Sequence, residues 1–237
     1  ALEDQAYSFT LPAGAFTDPD PTDVLTLSAM QVNGEALPPW LSFDPGTGTF
    51  TGVPDNADVG VVQVAITAMD QAGLSAQTQF ATEVVNINDR PIAFDDTAQA
   101  VEDGGAVTIQ QTSLLANDLD VDAGDHLVVV SVTESTAGVP VVLDSGNAIY
   151  DIDSRFQNLG ASDTTTDEFS YTVADSSGAT GTAAVRVTVT GVNDVPQLAT
   201  PLSDRLAYQS APLEFGIPPN AFVEIVAGDT LAFSAAS

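Results

Sequence analysis

Two short stretches of this sequence combine carboxylate and amide side chains in a way that suits a bound cation. They are Asn88-Asp89 and Asn193-Asp194, and each is followed two residues later by a proline. Oxygen ligands of this mixed kind are the ones that Ca²⁺ prefers, at about six to eight per ion. The two stretches are separated by roughly 100 residues, which is the length of one domain.

The residues around each Asn-Asp pair are typical of a joint between two domains. The apolar, β-branched run Val84–Ile87 leads into the first pair, and Pro91 then fixes an extended backbone. A strand therefore leaves one domain here and the chain enters the next. Three segments result, namely 1–89, 90–193 and a remainder, 194–237, that we interpret as the front part of a third domain.

The elements that must position these ligands are predicted to be β-strands. Tyr7, Phe9 and Leu11 alternate with small polar residues at the period of a half-buried strand, and similar runs recur every ten or so residues between Pro- and Gly-rich turns. Heptads and apolar runs of membrane length are absent from the sequence. We therefore predict an all-β chain of tandem antiparallel β-sandwiches of the immunoglobulin or cadherin-like kind.

Two families share motifs with this sequence. The runs Phe16-Thr-Asp-Pro-Asp20 and Leu37-Pro-Pro-Trp-Leu-Ser-Phe-Asp44 resemble the dystroglycan-type cadherin-like domain of bacterial surface proteins. The runs 114–125 and 167–175 resemble the VCBS-type cadherin-like repeat of RTX-type adhesins. Both resemblances imply an extracellular array of sandwiches, on a bacterial surface or secreted, in which calcium locks neighbouring cadherin-like domains into a stiff rod.

The charge balance narrows the range of partners. The sequence contains four arginines and thirty-three acidic residues, which give a formal net charge of −29. Such a surface repels nucleic acid and anionic membranes, so we expect neither nucleic-acid binding nor direct membrane insertion. It also repels itself, which favours either bound calcium or adaptation to high salt.

The inventory of reactive side chains argues against an enzyme. The chain has no cysteine, and its single histidine, His126, has no second histidine beside it, so a zinc site or a Ser-His-Asp triad is not expected. No motif singles out a catalytic carboxylate pair. The acidic run Asp118 to Asp122 is not an EF-hand, because Ala123 and Val129 stand where that loop needs glycine and glutamate.

Strand direction predicts which acidic residues meet at the first joint. Each antiparallel strand reverses the chain, so loops can be counted back from Asp89 to one end of the sandwich or the other. The residues placed at the first joint are Glu3, Asp55 or Asp58, Asn88, Asp89, Asp118, Asp120, Asp122 and Asp175. The alternative interpretation is that these Asp and Asn residues only form turns.

The second joint is predicted to be poorer in ligands. Its candidate residues are Glu102, Asp163, Asp167, Asn193 and Asp194. The third segment aligns with the first domain, but Gln209 stands in the place of Glu3, and Val226 stands in the place of Asp20. Since a valine cannot bind a cation, we expect fewer ions here than at the first joint.

Two further interpretations concern partners. Trp40 is either a core residue or the platform of a calcium-dependent carbohydrate-binding module for extracellular polysaccharide. The sequence has the character of a fragment of a longer polypeptide, in which the first domain lacks its lead-in strand. Residues 196–207 are the lead-in strand of the third segment, so head-to-tail strand exchange between copies is one prediction and disorder of this tail is the other.

The function favoured by the sequence is therefore that of a calcium-binding, non-enzymatic stalk segment of a large secreted bacterial adhesin. A carbohydrate-binding module is the alternative function.

Overall fold

The computed structural model describes most of the 237 residues, and by its internal contacts the chain divides into two compact units. Unit 1 comprises residues 1–89 and 120–125, and unit 2 comprises residues 90–119 and 126–237. The described residues are 1–20, 22–153, 155–207, 209–210, 212, 214–224, 226 and 230–234. Several residues of the predicted third segment, 194–237, lie outside them.

Unit 1 consists of two antiparallel three-stranded sheets. Its strands are Tyr7–Thr10 (β1), Thr26–Gln31 (β2), Leu41–Asp44 (β3), Thr49–Gly52 (β4), Gly60–Met69 (β5) and Ser75–Val84 (β6). One sheet has the order β1-β4-β3 and the other has the order β2-β5-β6. A single 3₁₀ turn, Asn56–Asp58, connects β4 to β5 among the described residues.

The core of unit 1 is small and rich in aromatic side chains. Leu41, Phe50, Val64 and Ile66 are buried in it, and Phe43 lies 4.5 Å from Phe50 between ring centroids. Gly52 is required at its position, because a Cβ there would lie 1.8 Å from the Trp40 carbonyl oxygen. The first residues of the chain reach β6 only at its end, where Leu2 forms a parallel bridge with Val85.

Unit 2 is larger and carries a four-stranded and two smaller sheets. Its strands are Asp96–Val101 (β7), Val107–Ile109 (β8), Val128–Val132 (β9), Val141–Asp144 (β10), Asn147–Tyr150 (β11), Thr164–Ala174 (β12), Thr180–Thr190 (β13), Gln197–Leu198 (β14) and Phe222–Val223 (β15), with one short helix, Gln111–Leu114 (α1). The sheet orders are β7-β13-β12-β9, β10-β11-β8 and β14-β15. The strands β7 and β13 run parallel, from Asp96 opposite Val185 to Val101 opposite Thr190.

The all-β prediction is confirmed, since 40% of the residues are in strands and 3% are in helices. Strict alternation explains the regularity of unit 2: Val185, Val187 and Val189 of β13 all point into the core and are fully buried. In the described part of the chain, no helix is long and apolar enough to cross a membrane. The division of the sequence at residues 89 and 193 stays a prediction.

Candidate cation-binding site

Glu3 is a buried carboxylate that the protein satisfies only in part. It follows the Leu2 bridge and is 0% exposed. Its Oε1 accepts a hydrogen bond of 2.5 Å from the backbone N–H of Ile87, while its Oε2 is buried without a hydrogen-bond partner. An unpaired buried carboxylate oxygen is costly, so this geometry calls for a positively charged partner.

Asp89 and Asp122 bring their carboxylates to the same place. Glu3, Asp89 and Asp122, here called the Glu3 cluster, each offer one oxygen, and these oxygens all lie within 4.8 Å of one another. The backbone N–H of Asp89 donates to Asp122 Oδ2 at 2.7 Å. The Asn56 amide donates to Asp89 Oδ2 at 2.9 Å and to Asp122 Oδ1 at 3.4 Å.

A second acidic group adjoins the Glu3 cluster through Asp122. Asp120, Asp122 and Asp125 also place one oxygen each within 4.8 Å of one another. The backbone N–H of Asp122 donates to Asp120 Oδ1 at 3.0 Å, but Asp120 Oδ2 and Asp125 Oδ2 are buried without a hydrogen-bond partner. Five carboxylates thus share this region of unit 1, and three of them have a buried oxygen that lacks a donor.

No basic side chain neutralises these carboxylates among the described residues. The ion pair that the described part of the chain contains is Arg186 with Glu168, which is exposed and 3.8 Å long. All the available ligand atoms are oxygens, and two oxygens bound to one Ca²⁺ at about 2.4 Å lie at most about 4.8 Å apart. The donor set therefore fits calcium, and Glu3, Asp89 and Asp122 are the residues that could hold it.

The loop of Asp55 and Asp58 contributes through a residue that sequence reasoning missed. Asp55 and Asp58 cap the 3₁₀ turn, since Asp55 Oδ1 accepts from the Ala57 N–H and Asp58 Oδ2 accepts from the Asp55 N–H. Asn56, between them, is the residue that reaches the Glu3 cluster. Sequence reasoning also missed Asp125. The available signal was that Asp125 lies in the same acidic loop as Asp120.

Unit 2 contains Asp118 and Asp175, which were predicted for the first joint. Asp118 is 8% exposed; its Oδ1 accepts from the Phe94 N–H at 2.8 Å, and the Tyr171 hydroxyl lies 3.0 Å from its Oδ2. Burial is the main cause that raises the pKa of the neighbouring Asp96, and the charge of Asp118 raises it further. Both carboxylate oxygens of Asp118 therefore have a donor in the protein, whereas one oxygen of Glu3 has none.

Asp175 closes the turn between β12 and β13. Its Oδ1 accepts from the N–H groups of Ser177 and Ala179 at 2.8 and 2.9 Å, and the residue is 5% exposed. This turn lies at the same end of unit 2 as Pro91, whose carbonyl oxygen lies 2.5 Å from where a Cβ of Gly181 would be. Asp175 thus stabilises a turn, and this turn lies at the end of unit 2 that contains Pro91.

Glu102 repeats the arrangement of Glu3 in unit 2. It is 0% exposed, its Oε1 accepts from the Val192 N–H at 2.6 Å, and its Oε2 has no hydrogen-bond partner. Asp194 Oδ2 is likewise buried without a partner. Burial raises the pKa of Glu102, the charges of Asp194 and Asp103 raise it further, and the Val192 N–H opposes both effects.

The Asn-Asp pairs at the two places are also built alike. The side-chain amide of Asn88 donates to the Asp89 carbonyl oxygen at 2.8 Å, and that of Asn193 donates to the Asp194 carbonyl oxygen at 2.9 Å. Both predicted asparagines thus contact the backbone of the aspartate that follows them. Among the described residues, however, no group of three acidic ligands forms around Glu102 and Asp194.

Asp163 and Asp167 have structural surroundings. Asp163 is exposed, and its Oδ2 accepts from the Gly160 N–H within its own loop. Asp167 is 2% exposed; the Tyr150 hydroxyl donates to its Oδ2 at 2.7 Å, and the Thr136 hydroxyl and the Ala137 N–H donate to its Oδ1. Both carboxylate oxygens of Asp167 therefore already accept hydrogen bonds from the protein, in contrast to Oε2 of Glu3.

Asp167 also has a distinct titration behaviour. Burial acts to raise its pKa, but the hydroxyl groups of Ser135, Tyr150 and Thr136 and the Ala137 N–H outweigh burial, so the pKa is lowered. The same contact, after burial, raises the pKa of Tyr150. A carboxylate stabilised in this way supports the fold.

Trp40 packs against the core of unit 1. Its ring meets that of Tyr7 edge-on at 5.9 Å between centroids, and it contacts the cluster formed by Leu41, Phe50, Val64 and Ile66. Such a half-buried ring does not present an exposed platform to a sugar. A third acidic group, Asp18, Asp23 and Asp70, is partly exposed.

The family comparisons agree with this architecture. Residues 1–85 match the family model described as "Putative Ig domain", and residues 88–191 match the one described as "Bacterial cadherin-like domain". The two matched stretches lie in tandem, the Ig-like one followed by the bacterial cadherin-like one. The tandem resemblance found in the sequence is confirmed at this level, and both families are structural and adhesion domains.

Similar solved structures include several cadherins. The human mucin-like protocadherin EC1-2 is 22% identical, with a TM-score of 0.46 over 71% of this chain and 84% of that one. Drosophila N-cadherin EC1-4 is 21% identical, with a TM-score of 0.44 over 72% of this chain and 42% of that one. The endo-fucoidan hydrolase MfFcnA4 is 16% identical, with a TM-score of 0.31 over 81% and 27%. No curated protein matches the chain.

Proposed function

We propose that this chain is a calcium-stabilised segment of an extracellular stalk, in which the Glu3 cluster binds Ca²⁺. The observation that carries the proposal is the Glu3 side chain, which is fully buried and has one oxygen without a donor beside two further carboxylates. A bound cation would satisfy that oxygen and offset the mutual repulsion of the three charges.

The ligands of the Glu3 cluster come from parts of the chain that are far apart in sequence. Glu3 belongs to the stretch that matches the Ig family model, whereas Asp89 and Asp122 belong to the stretch that matches the cadherin-like family. An ion held by all three would tie residues 120–125 to residues 1–89 within unit 1. Because residues 120–125 are flanked on both sides by unit 2, calcium would restrict the freedom of the joint.

The adhesin context follows from the class of domain. Cadherin-like domains are extracellular modules, and tandem arrays of them project a binding surface away from the cell. The net charge of −29 favours solubility of such an array, and calcium would lower the self-repulsion that this charge creates. Neighbouring cadherin-like domains would be the principal partners, and the protein would have no enzymatic role.

Thermal unfolding with and without calcium tests the proposal. A ligand that binds only the folded state stabilises it by about 2.7 kcal/mol at a concentration 100 times its Kd. We expect the melting temperature of the unit 1 transition to rise with calcium and to fall back when a chelator is added. Magnesium at the same ionic strength is the control, because it dehydrates reluctantly and requires octahedral geometry. Equal melting curves in calcium and chelator would contradict the proposal.

A further inference from the structure

The outer face of the four-stranded sheet of unit 2 has almost no net charge. Alternation along β12 and β13 points one set of side chains into the core and the other set to the outside. On the four strands, the outward set contains two charged residues, Glu168 of β12 and Arg186 of β13, whose charges cancel. Asp95, which precedes β7, adds one negative charge at the rim, where its Oδ1 accepts a hydrogen bond from the Ala184 N–H. In a chain of net charge −29, this face therefore interrupts the acidic surface.

The uncharged side chains of this face are small, and they are exposed or half-buried. On the two central strands they include Thr166, Ser170, Thr172, Thr182, Ala184 and Thr188. The outer strands add exposed valines, Val101 of β7 and Val128 and Val130 of β9. Small side chains allow a second sheet to pack closely on such a face. The outward set contains no aromatic side chain, so the face offers no platform for a sugar ring.

Arg186 and Glu168 lie side by side at the centre of this face. They are directly opposite each other in the register of β12 and β13. Within one chain they form a long ion pair of 3.8 Å, and their side chains are 65% and 47% exposed. An exposed pair of this length contributes little to the stability of the fold. Because a guanidinium has five N–H donors, Arg186 retains donors for a second carboxylate.

A second copy of the chain can satisfy both charges at once. A two-fold axis that runs along the strands, midway between β12 and β13 and between two facing sheets, places β13 of each copy over β12 of the other. Arg186 of each copy then faces Glu168 of the other copy, so the contact is made twice, as an isologous interface requires. Rotation about this axis leaves the strand direction unchanged. The two chains would therefore lie side by side and point the same way.

We propose that the outer face of the sheet β7-β13-β12-β9 is the surface through which two copies of this chain associate side by side. Charge complementarity selects this occupant. The acidic surface of a chain with net charge −29 repels a second copy, whereas this face offers the copy a reciprocal pair of opposite charges. The association goes beyond the proposed stalk function and requires no cation.

The size of the face predicts a weak association. Four strands about 4.8 Å apart make a sheet about 15–20 Å wide, and the central strands of 11 residues are about 36 Å long. The outer strands are shorter, so the area is below the about 800 Å² per partner that a standard interface buries. We therefore expect dimers at high concentration and single chains at low concentration.

Sedimentation equilibrium of the 1–237 chain over a wide concentration range tests the association. The measurement is made in chelator at about 0.15 M salt, which screens charges more than about 8 Å apart and leaves charges in contact effective. We expect the average mass to rise from the 24.3 kDa of one chain toward that of two chains. A single-chain mass at every concentration would overturn the proposal. Because chelator is present, that result would leave calcium binding by the Glu3 cluster untouched.

Charge reversal identifies the surface that associates. Arg186→Glu makes glutamates face each other across the two copies, and Glu168→Arg makes arginines face each other, so each variant alone should associate about 10-fold more weakly or less. A mixture of the two variants should recover the association, because opposite charges then face each other at both contacts. Arg205→Glu changes the net charge by the same amount at an exposed residue outside the sheet, and it should associate like the unchanged chain.

The double change Arg186→Glu with Glu168→Arg in one chain keeps both the net charge and the internal ion pair. This variant should associate like the unchanged chain. Melting curves of all variants show whether each one is folded. If either single reversal associates like the unchanged chain, or if the mixture of the two folded single variants stays as weak as each alone, the proposed face is wrong.

Discussion

Glu3 and Glu102 occupy equivalent positions, but their surroundings differ. Each is fully buried, and each accepts one short hydrogen bond from a backbone N–H that follows the last long strand of its unit. Glu3 has Asp89 and Asp122 within reach, whereas the described residues form no such group of three around Glu102, where Asp194 has a buried oxygen without a hydrogen-bond partner. Glu3 is thus part of a group of three acidic side chains in unit 1, whereas the described residues form no such group around Glu102 in unit 2.

Val226 illustrates the difference at the second place. It aligns with Asp20 of the first domain, yet it is 6% exposed, and its Cγ1 lies 3.2 Å from where a Cβ of Gly160 would be. An apolar contact stands where the acidic loop of the first domain has a carboxylate. The two places therefore differ in kind: acidic oxygens lie close together at the first, and an apolar side chain packs at the second.

The largest effect is expected for Asp167, the buried carboxylate that the protein fully satisfies. Asp167→Asn removes the charge that the Tyr150 and Thr136 hydroxyls donate to, so unit 2 should lose about 3 kcal/mol of unfolding free energy without change in calcium binding. Because its pKa is lowered from 3.8, this stability is present above pH 3.8 and is lost as pH falls through the folded value. Denaturant unfolding at pH 7 and pH 3 measures the loss of unfolding free energy and its dependence on pH. A lower calcium affinity of the variant would show that Asp167 is a ligand after all.

The next effect concerns the Glu3 cluster. Glu3→Gln keeps the shape of the side chain but removes a ligand charge, so we expect calcium affinity to fall about 100-fold, or roughly 3 kcal/mol. Isothermal titration in the full chain measures the change. Glu35→Gln removes an exposed glutamate of the same unit and serves as the matched control. Similar affinities for both variants would remove Glu3 from the site.

Metal content distinguishes the two places directly. We expect Glu3→Gln to lower the number of ions bound per chain by more than Glu102→Gln does, because three acidic side chains bring their oxygens together around Glu3 and the described residues form no such group around Glu102. Equilibrium dialysis with elemental analysis of calcium counts the ions. Equal losses in the two variants would contradict the difference drawn above.

The smallest effect is expected for Glu102 in the absence of calcium. Its pKa is raised above 4.5 by burial, so the folded state favours the protonated form and the ionised form costs stability as pH rises. In chelator at pH 8, Glu102→Gln should therefore raise the melting temperature of unit 2 by a few degrees, which corresponds to about 1 kcal/mol of unfolding free energy. The increase should be smaller at pH 5. A lower melting temperature of the variant at pH 8 would reverse this assignment.

Much of the strand pattern could be read from the sequence. The alternating runs from Val61 to Ala68 and from Ser75 to Val85 correspond to β5 and β6 within one or two residues, because alternation has a single structural explanation. The short helix Gln111–Leu114 was not predicted, since four residues carry no helical period.

The candidate site was predictable in position but not in detail. Strand direction was enough to bring Glu3, Asp89 and Asp122 together, since loops at one end of a sandwich must be neighbours. It could not show that Asn56, rather than Asp55 or Asp58, points to the cluster, because the direction of side chains in a 3₁₀ turn depends on its caps. Nor could it show that Asp167 is paired with Tyr150, which is a contact between strands.

The parallel pairing of β7 with β13 has a mechanical consequence. The first strand of unit 2 and its last long strand are neighbours that point the same way. A force that pulls the start of β7 and the end of β13 apart acts along both strands, so the hydrogen bonds from Asp96 to Val101 are loaded in shear and must yield together. Under tension between these two points, this pair of strands should therefore yield in one step and not one contact at a time.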